Sequence, residues 1–247
     1  MRVVLLFLLS FMVLTGCVSN APIKNYVAPG GSGLKWGTSC GSGVTRDGNT
    51  FKFSTGANTC KTNGVVTGTY RQRDEINTNP FSVNTKATYT FETSLRFLST
   101  GYDYFRATIF QVHNGSFPGC QPPLSIDVTT DNIWLYTSYT HDNGNGFDCW
   151  KEEMRDREKF PSMAKINFPR DGSEHLFKVV LAFDGTAAFQ VDVFLDGELV
   201  TSGKYEPPLK NPSFLISPHY YFKHGVYSSA VFDYEMYSTG MRLTKKK

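Results

Sequence analysis

The amino-acid sequence predicts an all-β protein, a sandwich or jelly roll of two antiparallel sheets. Short segments rich in β-branched and aromatic residues alternate apolar with polar positions, which is the two-residue period of a half-buried strand. Turn dipeptides such as Asp184-Gly185 and Asp196-Gly197 separate neighbouring segments, as in antiparallel hairpins. Helical periodicity is rare, so we expect one domain of two curved sheets.

The predicted strands begin at residue 50 and continue almost to the C-terminus. They are Thr50–Ser54, Gly64–Ile76, Ala87–Phe97, Tyr104–His113, Leu124–Val128, Asn132–Ser138, Leu176–Phe183, Ala188–Leu195, Phe214–Ile216, Tyr220–Tyr227 and Ala230–Met236. The exception to this pattern is Asp148–Lys165, where the charged run Lys151–Lys159 is compatible with a short helix. This excursion is either a solvated insertion attached through Cys149 or a lid that contacts substrate.

The N-terminus has the features of an export signal. Arg2 precedes the apolar run Val3–Leu14, which is too short to cross a bilayer but suits the hydrophobic region of a signal peptide. The following Leu14-Thr15-Gly16-Cys17 resembles a bacterial lipoprotein signal, which implies lipidation at Cys17; a plain secretory signal is the alternative. We therefore expect an outer-membrane or cell-surface lipoprotein, or a secreted protein, whose only membrane contact is the lipid anchor.

The domain organisation predicted from these features has three parts. Residues 1–16 form the signal peptide, residues 17–48 form a tether and irregular segment rich in Gly, Ser, Asn and Pro, and residues 49–247 form the β domain. The chain has 247 residues, 15% aromatic and 19% charged, with a formal net charge of +3. That charge is too small to indicate a nucleic-acid partner, and we expect a monomer.

Four cysteines remain after Cys17, an even number in an oxidising compartment. Three pairings are possible. Because loop closure favours neighbours in sequence, we predict Cys40 with Cys60 and Cys120 with Cys149, and the alternative is that one or more thiols stay free. No zinc-type or calcium-loop spacing is present in the sequence, so neither a metal nor a cofactor is expected.

Three of the predicted strands place unusual polar residues on one face. In Tyr221–Tyr227, alternation puts Tyr221, Lys223 and Tyr227 together, with Phe222 and Val226 on the other face. The other two strands place Gln111 beside His113, opposite Phe110 and Val112, and Arg71 with Arg73 and Glu75. Together these residues form a concave wall of cations, an amide, an imidazole and phenols, which suits an anionic ligand.

These segments resemble the alginate-lyase superfamily of polysaccharide lyases, in the manner of polysaccharide lyase family 7 and related glucuronan lyases. The matching motifs are Arg73-Asp74-Glu75-Ile76, Gln111-Val112-His113 and the stretch from Tyr221 to Tyr227. The resemblance covers about residues 51–243 and implies a concanavalin-like jelly roll with a concave substrate cleft. Asn77 stands where the family usually has a second arginine, and His224 replaces a usual small residue.

The chemistry of uronate β-elimination matches these residue types. The enzyme must neutralise the carboxylate next to C5 before the C5 proton can be removed, a task suited to Arg73 and Gln111. The base must act near neutral pH, where His113 has a suitable ordinary pKa, and Tyr227 can protonate the leaving O4. By resemblance, Tyr227 is base and acid on mannuronate and His113 is the base on guluronate. Arg71, Glu75, Tyr221 and Lys223 are expected to bind substrate.

The predicted function is therefore β-elimination on an acidic uronate polymer, with a mannuronate-containing alginate as the first candidate. Glucuronan or another polyuronate is the alternative substrate. A carbohydrate-binding module on the same fold is a second class, which would not need His113 and Tyr227 near one C5 centre. A glycoside hydrolase is a third, but the sequence lacks the spaced acidic strand motif that it requires.

Overall fold

The chain folds into two packed antiparallel β-sheets. The computed structural model describes residues 23–39, 42–54, 58–62, 65–70, 72–100, 106–114, 120, 122–129, 132–154, 156, 158, 168–230 and 232–247, and these contain strands and no helix. None of their segments is therefore a helix long and apolar enough to span a membrane. The predicted fold class, an all-β sandwich of the jelly-roll kind, is confirmed.

We call the larger sheet the front sheet. Its main path runs β1-β2-β7-β18-β10-β11-β12-β13, with β17 paired to β12 and β8 paired to β18. The bounds of its strands are β1 Tyr26–Val27, β2 Lys35–Thr38, β7 Gln72–Thr78, β8 Phe81–Ser82, β10 Ala107–His113, β11 Leu124–Val128, β12 Ile133–Asp142, β13 Phe147–Glu153, β17 Phe214–Leu215 and β18 His219–Ser228.

The second sheet, which we call the back sheet, runs in the order β16-β15-β14-β9-β19-β4-β3. Its strands are β3 Thr45–Asp47, β4 Thr50–Ser54, β9 Ala87–Thr100, β14 Asp171–Phe183, β15 Phe189–Leu195, β16 Glu198–Tyr205 and β19 Asp233–Lys246. A separate hairpin joins β5 Asn58–Thr62 to β6 Val65–Tyr70. The predicted strand Gly64–Ile76 is therefore two strands, β6 in this hairpin and β7 in the front sheet.

The core lies between the two sheets and is dominated by aromatic rings. Phe91 of the back sheet lies 5.1 Å from Phe110 of the front sheet, measured between ring centroids, and Phe81 lies 4.7 Å from Phe222. Burying each such side chain is worth roughly 1.5–3 kcal/mol relative to leaving it in water. Phe110, Val112, Phe222 and Val226 are all buried here, so the alternation predicted for β10 and β18 is confirmed on the core side.

The segment predicted to be a tether and irregular structure contributes to the sheets. Within residues 17–48, strands β1 and β2 extend the front sheet and β3 joins the edge of the back sheet. Trp36 of β2 is completely buried and its ring lies 5.9 Å from that of Phe91. The Gly- and Ser-rich composition gave no sign that the burial of one tryptophan ties this segment to the core. The strands of the sandwich therefore begin before residue 49.

The region predicted as a charged helix begins as a strand. β13 pairs with β12 in register from Tyr136–Glu153 to Asp142–Phe147, through a turn in which Gly144 and Gly146 have positive φ. The predicted Cys120–Cys149 pairing is confirmed and anchors β13 to the segment before β11. Cross-strand pairing and this cross-link override the helical preference of residues 151–153. Residues 155, 157 and 159–167 lie outside the described part, so the solvated insertion and the lid both stay predictions.

Several predictions fall on residues that the structure does not describe. The signal peptide and Cys17 are among them, and so are Cys40 and the side chain of Cys60. Export, lipidation and the Cys40–Cys60 pairing stay predictions. β16 was not predicted, although the Asp196-Gly197 turn before it was identified, because its sequence of Glu198–Tyr205 mixes charged and small residues.

Candidate active site

Cross-strand pairing arranges the polar side chains of the front sheet in two neighbouring rows. Directly opposed residues of antiparallel strands share a face, with Cβ atoms about 4.5–5.5 Å apart. The first row crosses the sheet through Arg73, Tyr227, Thr108, Asp127 and Trp134. The second row crosses it through Lys223, Gln111, Ser125 and Tyr136. Residues far apart in sequence thus become neighbours.

The rows border a cavity of about 530 Å³ on the front sheet. The structure brings six of the predicted site residues into its wall: Arg73, Glu75, Gln111, His113, Lys223 and Tyr227. The rest of the wall consists of Arg106, Thr108, Cys120, Pro122, Ser125, Asp127, Ser228 and Ser229. Three cationic side chains face two carboxylates in this wall, an excess that favours an anionic ligand.

A local irregularity of β10 brings Thr108 onto the cavity face. The pairing register shifts between Thr108 and Phe110, where Ile109 and Phe110 are consecutive buried residues. Strict alternation would place Thr108 on the core face with Phe110. The shift instead lets Thr108 line the same cavity as Gln111 and His113. Bulges of this kind often redirect side chains next to functional sites.

Gly225 lets β7 and β18 approach closely between the two rows. Its φ is +145°, and a Cβ atom placed there would lie 2.1 Å from the carbonyl oxygen of Asp74. No side chain fits without moving the backbone of β7. The glycine therefore keeps Glu75, its partner in the register, against β18.

Glu75 is the centre of the polar network beneath the cavity. One carboxylate oxygen, Oε2, accepts a hydrogen bond from Nε of Arg73 at 2.8 Å and lies 3.4 Å from Nζ of Lys223. The other, Oε1, accepts a hydrogen bond from Nε2 of Gln111 at 3.0 Å. Glu75 is only 2% exposed. Its oxygens thus hold the cations and the amide in place, and its contact with substrate stays a prediction.

Burial controls the ionisation of Lys223. The pKa of Lys223 is lowered, mainly because burial disfavours the charged ammonium and secondarily because Arg73 is near, while Glu75 opposes the shift. The nearby carboxylate thus keeps the ammonium form more stable than burial alone would allow. Lys223 is positioned as a fixed donor at the cavity floor.

His113 differs from its sequence-based prediction in its pKa. Burial, with Lys223 and Arg73 nearby, lowers the pKa of His113 to about 3, so the ordinary value assumed from the sequence is wrong. The imidazole is therefore neutral at neutral pH and has a nitrogen able to accept a proton. Its ring stacks on that of Tyr221, with centroids 5.0 Å apart and planes 23° apart, so Tyr221 fixes its orientation.

Tyr227 is the exposed phenol of the cavity. Its side chain is 37% exposed, and the guanidinium carbon of Arg73 lies 6.0 Å from its ring centroid. Arg73 and Tyr227 are direct cross-strand partners, which explains this contact. A ligand in the cavity therefore meets this phenol and the guanidinium side by side.

His224 lies on the opposite face of β18, as predicted. It is completely buried against Phe91 and Phe53, at ring-centroid distances of 4.8 Å and 5.5 Å. Its Nδ1 is 2.9 Å from the carbonyl oxygen of Ile109 and its Nε2 is 2.5 Å from Oγ of Ser238. His224 is therefore a packing residue of the core.

The sequence-based reasoning missed a second ion pair in the cavity. Nε of Arg106 lies 3.0 Å from Oδ2 of Asp127, whose other oxygen accepts a 2.6 Å hydrogen bond from Thr108. Burial raises the pKa of Asp127, and the contacts with Thr108 and Arg106 oppose that shift. An acid inside the short apolar strand Leu124–Val128 was the available signal, because such a residue is costly to bury without a partner.

Two predicted residues stand outside the described region, Arg71 in substrate binding and Cys17 in lipidation. Within the described part of the chain, no group of three or more His, Cys, Asp or Glu side chains is arranged to hold a metal ion. The cavity wall itself presents Arg, Lys, Gln, His and Tyr side chains.

Comparisons with known proteins give matches among solved structures alone. No protein-family model and no curated protein matches the chain. Similar structures are alginate lyases: AlgAT5 of polysaccharide lyase family 7, with 14% identity, 83% of this chain and 79% of that chain covered, and a TM-score of 0.46. An alginate lyase from Pseudomonas aeruginosa has 13% identity and a TM-score of 0.46, and the match covers 82% of this chain and 86% of that chain. AlyC3 in complex with dimannuronate has 13% identity, coverage of 83% and 74%, and a TM-score of 0.44.

Proposed function

We propose that this protein is a polysaccharide lyase that cleaves a uronate polymer by β-elimination. The observation that carries the proposal is the network around Glu75. A buried carboxylate holds a guanidinium and an amide at one cavity wall, next to a neutral imidazole and an exposed phenol. These are the groups that such a reaction needs, and they come from three strands of one sheet.

The first task of the site is to neutralise the substrate carboxylate. Arg73 has a fork of N–H donors, of which Nε is used by Glu75, and Gln111 has a second amide N–H beyond the one given to Glu75. Both groups are held by Glu75 before substrate arrives. Donors fixed in advance stabilise the enediolate-like charge that develops at the carboxylate when C5 loses its proton.

The second task is proton transfer. A base removes the C5 proton, the electrons of the C5–H bond form the C4–C5 double bond, and the C4–O4 bond breaks. Tyr227 donates a proton to O4, and the base is Tyr227 or His113 according to the side on which the C5 proton lies. His113 can accept a proton because its imidazole is neutral at neutral pH, although its lowered pKa makes it a weaker base than a free imidazole.

The substrate proposed first is alginate with mannuronate units, and glucuronan or another polyuronate is the alternative. Lys223 and Arg106 add positive charge to the wall beyond the Arg73 position, which favours a polymer with repeated carboxylates. Because Glu75 and Asp127 offset two of the three cations in the wall, a neutral polysaccharide would leave one positive charge there unmatched.

A glycoside hydrolase is disfavoured by the placement of the carboxylates in the cavity. Glu75 is on β7 and Asp127 on β11, three strand spacings apart, which corresponds to about 14 Å. Hydrolytic pairs stand about 5–5.5 Å or about 6.5–9.5 Å apart. Each carboxylate is also already bound by an arginine.

The experiment that tests the proposal is a panel of acidic polymers. The purified protein is incubated with alginate, polymannuronate, polyguluronate and glucuronan, and the ultraviolet absorbance of unsaturated uronyl ends is followed. We expect an increase with at least one polymer. Binding to a polymer with no such increase on any of the four would overturn the lyase and favour the carbohydrate-binding module.

A further inference from the structure

A second cationic side chain, Arg106, borders the cavity away from Arg73. Arg106 immediately precedes β10, and its backbone carbonyl accepts a 2.9 Å hydrogen bond from Oγ of Ser228. Its guanidinium is held by Asp127 at 3.0 Å and lies over the ring of Tyr136 at 4.6 Å. Because 46% of the Arg106 side chain remains exposed, the group is fixed and still accessible to a ligand.

Two aromatic rings lie beside Arg106 and Asp127 on the same face of the front sheet. Trp134 and Tyr136 are on the same face of β12, and their rings stack with centroids 5.9 Å apart and planes 19° apart. Both side chains are half-buried. Flat rings at an open surface are good partners for the apolar face of a sugar ring, since they lose little conformational freedom on binding.

The register places this second site at a defined distance from the reacting phenol. Tyr227 is on β18 and Trp134 ends the same cross-strand row on β12. Three strand spacings separate β18 from β12, which is about 14 Å. One sugar unit cannot contact both ends of this row, whereas a polymer lying along the row contacts both.

We propose that Arg106, Trp134 and Tyr136 form a second polymer-binding position, which holds the carboxylate and ring of a uronate unit that does not react. This inference rests on the proposed function for the identity of the polymer. It adds that the protein binds its polymer across β18, β10, β11 and β12. It also makes Asp127 a positioning residue that orients Arg106. Short substrates that end before β12 should therefore be poor ones.

Arg106→Gln is the variant that tests this position, and Arg96→Gln is its control. Arg96 also lies over a tyrosine, with its guanidinium 5.2 Å from the ring of Tyr237, but it is on β9 of the back sheet. Retardation of each variant is measured by electrophoresis in gels that contain alginate or, in parallel, glucuronan. The kcat and KM are then measured on the polymer that wild type cleaves, and on its trisaccharide.

We expect Arg106→Gln to weaken polymer binding roughly tenfold, because one charge-assisted contact is lost. KM on the polymer should rise by a similar factor while kcat changes little, and the trisaccharide should be affected far less. Arg106→Lys should recover part of the affinity. Arg96→Gln should behave as wild type.

Equal retardation and equal KM for Arg106→Gln and wild type would overturn the inference, as would an equal loss on polymer and trisaccharide. Failure of the lyase proposal has a different signature. In that case wild type releases no unsaturated ends from any polymer, yet its retardation still depends on Arg106, and the second binding position stands.

Discussion

The two histidines of the central strands show how one pair of strands serves two purposes. His113 on β10 and His224 on β18 are both desolvated, and burial is the first cause of the lowered pKa of each, to about 3 and about 4. His224 is enclosed by Phe91 and Phe53 and bonded to Ser238. His113 lines an open cavity with cations beside it. Access to a ligand, and not a shifted pKa, therefore separates the candidate catalytic histidine from the structural one.

The same division runs through the whole of β18. Its cavity face presents Lys223 and Tyr227, while its core face presents Phe222 and Val226 without any exposed area. Substitutions on the cavity face should change rates more than stability, and substitutions on the core face should do the reverse.

The largest expected effect is on the cavity face, from Tyr227→Phe. Removing the phenolic hydroxyl takes away the proposed acid, so kcat should fall by about 10²–10⁴-fold. Because Tyr227 is exposed, the midpoint of thermal unfolding should change little. The measurement is the rate of unsaturated-end formation, with the half-buried back-sheet phenol removed by Tyr237→Phe as the matched control. Full activity of Tyr227→Phe would refute its role as the acid.

An intermediate effect is expected from Glu75→Ala. Unlike the substitutions on the faces of β18, it should lower both stability and activity substantially. This carboxylate is buried and holds both Arg73 and Lys223, so its removal should cost about 3–5 kcal/mol of folding free energy. Activity should fall as well, because Arg73 and Gln111 lose the group that positions them. Denaturant unfolding and kinetics on the same sample check both effects. A stable variant with unchanged kcat/KM would show that Glu75 neither stabilises nor positions the site.

The smallest effect, counted per unit of pH, is a pH dependence of stability from the core face. His224 has a folded-state pKa of about 4, below its ordinary value of 6.5, so the unfolded chain binds more protons between these values. The contribution of His224 to the free energy of unfolding should therefore be fully present above pH 6.5. It should fall as the pH drops toward 4, by at most about 1.4 kcal/mol per pH unit. His113 adds a similar loss from pH 6.5 toward 3.

The variant His224→Gln isolates the contribution of the core histidine to the pH dependence of stability. This variant should be less stable than wild type at pH 7, because it repacks the site between Phe91 and Phe53, and the difference should shrink as the pH falls to 4. Urea unfolding of both proteins at a series of pH values measures it. A constant difference across the series would mean that His224 does not titrate as its burial implies.

Local sequence determined most of the central strands and the sides on which most of their residues lie. Alternation alone separated Lys223 and Tyr227 from Phe222 and Val226, because successive side chains of a strand point to opposite faces. The matching motifs on three separate strands also indicated which of these faces borders the cavity. Alternation failed at Thr108, where a shift in pairing register, invisible in the sequence, moves a residue to the other face.

Tertiary structure alone decided how these strands meet. The order β7-β18-β10-β11-β12 places Arg73, Tyr227, Thr108, Asp127 and Trp134 in one row. It also makes Glu75 a buried support, lowers the pKa of His113 and adds Arg106 to the cleft. Each of these depends on non-local pairing and on the loss of water around charged groups. Sequence periodicity indicates which face of the sheet a side chain takes. It does not specify which residue of the adjacent strand lies beside that side chain, or how much water that residue displaces.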